Sequence, residues 1–89
     1  MNSIQEKEVG VIAAFSTQGK IKPLYFNAMD EDGGFTPMKV YVLEEAEYHP
    51  LNYPYTLFKC SYVYNGVERR VVLKYSHNLH TWYKKASFN

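Results

Sequence analysis

One cysteine in 89 residues excludes an internal disulfide. Cys60 therefore stands alone, as is usual for a chain that stays in the reducing cytoplasm. No apolar run is long enough to span a bilayer. Met1 to Glu8 is polar and lacks the charged-then-apolar layout of a secretion signal, so the expectation is a cytoplasmic protein with no membrane partner. Charge of one sign is also lacking. Ten Lys and Arg face nine Asp and Glu, a formal net charge of +1, which gives no global support to a dedicated nucleic-acid binder. No stretch carries a convincing helical pattern, and no biased tract points to disorder.

What is present is aromatic. Phe, Trp and Tyr make up 17% of the chain, with nine Tyr, five Phe and the single Trp82. Flat rings pack well on a pleated, half-buried surface, so this excess is first a strand signal and only then a hint of a binding face. The length suits one domain with a modest core, since a chain of this size buries a little over ~60% of its unfolded surface.

Residues 1–7 read as a flexible lead-in and residues 8–89 as one domain. Glu8 to Ser16 has strand composition, and Thr17-Gln18-Gly19-Lys20 suits a hairpin turn with Gly19 at positive φ. Ile21 to Asn27 is a second strand. Pro23 donates no N–H, so that strand is expected to be an edge or to bulge there. Asp30-Glu31-Asp32-Gly33-Gly34 is a loop. Met38 to Glu47 alternates as a strand, with a single helical turn at Leu43–Glu47 left open. Tyr48 to Pro54 is a loop punctuated by Pro50 and Pro54.

The strongest local signal is Tyr55 to Tyr64, then Asn65-Gly66, then Val67 to Tyr75, the form of a two-residue type I′ hairpin. Pairing Tyr64 with Val67 sets Tyr62 opposite Arg69, Cys60 opposite Val71, Phe58 opposite Leu73 and Thr56 opposite Tyr75. Phe58, Cys60, Val71 and Leu73 then share a core face, while Lys59, Glu68, Arg70 and Lys74 share a solvent face. Ser76 to Leu79 turns, and His80 to Lys85 is a last strand. Five or six short strands and no helix predict an all-β domain, a small antiparallel barrel or roll of SH3-like type, which closes the sheet and hides its edges. Such a chain looks too small for a seven-stranded two-sheet sandwich.

Phe58-Lys59-Cys60, Asn65-Gly66-Val67-Glu68-Arg69, Leu73-Lys74-Tyr75 and Trp82-Tyr83, with Val9-Gly10-Val11-Ile12-Ala13 and Gly19-Lys20-Ile21-Lys22-Pro23, carry a resemblance. Together they resemble a group of small, uncharacterised bacterial all-β proteins, over the two ends of the chain. The resemblance implies an all-β fold and a bacterial source, and no activity.

A zinc site drawn from His49, His77, His80 and Cys60 needs about four ligands at compact spacing, which these positions do not offer. Cys60 lies mid-strand on the apolar face, where a thiol behaves as a small hydrophobe rather than a nucleophile. The carboxylates at Glu44, Glu45 and Glu47 and at Asp30, Glu31 and Asp32 read as solvated, and the second group lacks calcium-loop spacing. Gly33-Gly34 precedes neither Lys-Ser nor Lys-Thr, so it is no phosphate loop. The expectation is a protein that is not an enzyme and needs no cofactor.

Two binding readings remain. Tyr48, Tyr53 and Tyr55 flank Pro50 and Pro54, and rings in such a loop cap the open end of a barrel more readily than they form a groove for a protein or peptide. Alternatively, Lys59, Arg70 and Lys74, extended by Lys84 and Lys85, form a basic face on which single-stranded nucleic acid could lie. Glu68 interrupts that face, and exposed Lys and Arg on strands also discourage edge-to-edge aggregation without any ligand. The peptide reading ranks first, and a homodimer formed through an exposed strand edge is a variant of it.

Overall fold

A computed structural model describes residues 6–29 and 32–85. Its elements are eight strands: β1 (Glu6–Glu8), β2 (Val11–Phe15), β3 (Ile21–Met29), β4 (Phe35–Lys39), β5 (Tyr41–Tyr48), β6 (Tyr55–Tyr64), β7 (Val67–Ser76) and β8 (Thr81–Lys85). They form two antiparallel sheets. One has five strands in the order β1-β8-β7-β6-β5, and the other has three in the order β2-β3-β4.

The all-β expectation holds, but the described strands do not join into one closed ring. Two things separate this arrangement from the expected five- or six-stranded barrel. First, the segment predicted as one strand from Met38 to Glu47 is two strands in different sheets, parted at Val40. Second, β1 begins inside the expected lead-in, pairing Glu6 with Lys85 and Glu8 with Tyr83. Residues 1–5 lie outside the described residues, as do Asp30 and Glu31 of the expected loop. The edge strand β1 is Glu-Lys-Glu and so lacks the alternating apolar pattern that marks inner strands.

Pro23 sits beside a bulge in β3. Ile12 pairs with Tyr25 but Ala13 pairs with Pro23, so Leu24 bulges out of the ladder. A strand that loses an N–H donor accommodates the loss by bulging. The Leu24 carbonyl accepts the Val40 N–H at 2.9 Å, one residue beyond the Tyr25–Lys39 pair of the β3–β4 ladder. That bond holds the corner where the chain leaves the small sheet for the large one, with the Val40 side chain buried beneath it. Leu43 bulges similarly in β5, and Glu44, Glu45 and Glu47 continue as strand rather than as a helical turn.

The β6–β7 hairpin has the expected register throughout, from Tyr64 opposite Val67 to Thr56 opposite Tyr75. Asn65 and Gly66 have φ of 51° and 76°, the paired positive values of a type I′ turn. Its inner face supplies Phe58, Cys60, Val71, Leu73 and Tyr75 to the core, joined by Trp82 from β8 and by Phe26 and Ala28 from β3. The inner faces of the two sheets meet there. The Phe26 ring stands edge-on to Tyr62 with centroids 5.0 Å apart, a favoured geometry for aromatic pairs.

Candidate functional site

The outer face of the five-stranded sheet, away from the core, is built by cross-strand neighbours. Tyr83 of β8 faces Lys74 of β7, which faces Leu57 of β6. Two residues along the strands, Ser76 faces both Tyr55 and Thr81. Lys74 is the hub. Its Nζ lies 4.7 Å from the centroid of the Tyr55 ring and 5.8 Å from that of Tyr83. It also donates to Glu6 of β1, at 3.3 Å from Oε1. The two side chains of this ion pair are only 23% and 30% exposed. A cation held between ring faces and a carboxylate is neutralised in place.

Around this hub runs a groove of about 300 Å³, walled by Tyr53, Pro54, Tyr55, Leu79 and Tyr83. Two loops set its upper edge. The Asn78 side chain donates to the Asn52 carbonyl at 2.8 Å, and the His77 N–H donates to the Pro54 carbonyl at 3.1 Å. Within the first loop, the Tyr53 N–H donates to the Pro50 carbonyl at 3.0 Å. The β5–β6 and β7–β8 loops are thereby tied, fixing the backbone on which Tyr53 and Leu79 stand.

The three tyrosines singled out in the sequence have different roles here. Tyr53 and Tyr55 line the groove. Tyr48 is the cross-strand partner of Tyr55 and stacks on its ring at 5.0 Å and 17°, bracing it from the β5 side. Tyr83, Leu79 and Glu6 escaped the sequence reading. The signal for Tyr83 was present, because the turn after Ser76 places it opposite Lys74.

The basic residues divide. Lys59, Arg70, Lys74 and Lys85 share the outer face, whereas Lys84 pairs with Leu73 and so belongs to the opposite face. Three of them have acidic neighbours: Lys59 with Glu44 at 3.7 Å, Arg70 with Glu68 at 3.7 Å and Lys74 with Glu6 at 3.3 Å. The hairpin face therefore alternates in sign.

The other chemistry-bearing groups are occupied within the fold. Cys60 is buried, its Sγ 3.6 Å from the Phe58 carbonyl, and burial pushes its thiol pKa up to about 12. His77 Nε2 hydrogen-bonds with the Thr56 hydroxyl at 2.8 Å and His80 Nδ1 with the Tyr75 hydroxyl at 3.0 Å. Among the described residues no group of three or more His, Cys, Asp or Glu is arranged to hold a metal ion. No helix among them is long and apolar enough to cross a membrane.

In comparisons with known proteins, no family model, curated protein or solved structure matches this chain.

Proposed function

We propose that this protein is a non-enzymatic binding module of the cytoplasm that holds an extended peptide in the groove between Tyr53, Tyr55 and Tyr83. One observation carries the reading: the Lys74 ammonium is already shared by two tyrosine rings and Glu6. The floor is therefore aromatic and close to neutral, and the walls add Pro54 and Leu79. Such a surface favours proline and aliphatic side chains, which lie flat on rings and bring no charge to desolvate. Pro-rich segments dock in aromatic-lined grooves on SH3-type domains by the same physics. The ties between the two loops hold the walls in place before binding, which lowers the ordering cost.

The test is an NMR titration of the isotopically labelled protein with a panel of proline-rich peptides. The expected perturbations centre on Tyr53, Tyr55, Lys74 and Tyr83 and change little between 50 and 300 mM salt. Tyr83→Ala should weaken binding by about tenfold, the ~1–2 kcal/mol expected for losing one ring from such a contact. Perturbations confined to other surfaces, or none across the panel, would sink the reading.

A further inference from the structure

A second groove, of about 530 Å³, lies at the corner where the chain passes between the sheets. It lies between the bulge at Leu24 and the Val40 crossing. Tyr25 and Lys39 are cross-strand partners on β3 and β4. Tyr41 begins β5 just beyond the corner, and the Lys39 Nζ stands 5.4 Å from the centroid of its ring. Lys22 and Leu24 complete the β3 side. Tyr25 and Tyr41 are 38% and 53% exposed, so both offer ring surface to solvent.

Its charge sets this groove apart from the first. Two lysines line it and no Asp or Glu does, in contrast to the alternating signs of the hairpin face. Exposed rings interleaved with lysines in an open cleft match a strand of alternating bases and phosphates. Bases stack on the rings without regard to sequence, and phosphates meet the ammonium groups. The volume is within the range of small-molecule sites, so the cleft has room for a nucleotide unit.

We infer that the Lys22–Tyr25–Lys39–Tyr41 corner binds single-stranded nucleic acid, with bases on Tyr25 and Tyr41 and phosphates at Lys22 and Lys39. The site is separate from the peptide groove. Tyr41 and Tyr48 stand at opposite ends of β5, roughly 20 Å apart at the usual rise of a strand. The inference does not depend on the peptide reading.

The experiment is fluorescence anisotropy with a labelled oligothymidylate and the full chain, in 50 and 200 mM salt. Two phosphate contacts predict roughly a sevenfold loss of affinity over that interval. Tyr41→Ala should lower affinity by about tenfold, the loss of one stacked base. The double variant Lys22→Glu/Lys39→Glu should abolish binding, while its circular dichroism shows the fold intact, as expected for exposed side chains. Inorganic polyphosphate of equal charge should compete poorly, since it has no bases to stack. Three outcomes would overturn the proposal: no binding at 50 mM salt, competition by polyphosphate as effective as that by unlabelled oligonucleotide, or loss of binding in Lys59→Glu/Arg70→Glu instead.

Discussion

Cys60 shows how position decides a residue's chemistry. In solution a thiol titrates near the upper end of the physiological range, but in β6 its ionised form would sit among Phe58, Val71 and Leu73 with little solvation. The folded state therefore holds the proton until about pH 12. The direction of the pH effect follows. Below its unfolded pKa, near 9.0, both states carry the proton and stability is unaffected. Between the two values only the unfolded state ionises, so stability falls as pH rises, by about 1.4 kcal/mol per pH unit from this group. Denaturant titrations at pH 9 and 10 should show a smaller loss for Cys60→Ala than for the native chain, although the variant is less stable at both. The native thiol should also resist maleimide until the protein is unfolded. Rapid native labelling would contradict the burial on which the argument rests.

Among the elements, the β6–β7 hairpin has the clearest local cause. Asn65 and Gly66 both take positive φ, which only a few residue types adopt without strain. Gly66→Ala should cost about 1–2 kcal/mol, read as a lower urea midpoint with unchanged m. A cost near zero would mean the turn does not set the pairing. This element was legible in the sequence because its turn residues and its alternating faces agree. The peptide groove was legible in part. Tyr53 and Tyr55 stood out by their place beside Pro54, and the turn after Ser76 sets Tyr83 opposite Lys74, whereas Glu6 joins only through the pairing of β1 with the distant β8. The corner groove was not legible. Tyr25 and Tyr41 come together because Tyr25 pairs with Lys39 and the chain changes sheets just beyond, at Val40. Nothing local in Met38 to Glu47 marks that change, since an alternating pattern looks the same whether it runs through one sheet or two. The start of β4 was also hidden by its own protection, because Pro37 at that edge discourages pairing with another chain.

For the whole molecule, the question is whether two sheets make one cooperative unit. The core draws on both: Phe26 and Ala28 from the small sheet, and Phe58, Leu73, Tyr75 and Trp82 from the large one. Phe26 is 1% exposed and lies against Tyr62 of the facing sheet. Trp82 lies within the large sheet, with ring centroids 4.9 Å from Tyr75 and 5.6 Å from Phe58. Its fluorescence therefore reports on the sheet that does not contain Phe26. Phe26→Ala removes a ring that the surroundings cannot fully replace, at a cost of about 3–5 kcal/mol. A domain of this length has a total stability of only ~5–13 kcal/mol, so the loss is a large share of it. If the sheets fold as one, Trp82 fluorescence and far-ultraviolet circular dichroism should show the same, equally lowered urea midpoint in the variant. If Trp82 instead kept its native midpoint while the dichroism shifted, the small sheet would be unfolding by itself. Both grooves bear on that result, because the corner groove joins the two sheets at Val40 while the peptide groove is built on the large sheet and its loops. Cooperative unfolding would make the corner as firm as the core, and separate unfolding would leave only the peptide groove preformed.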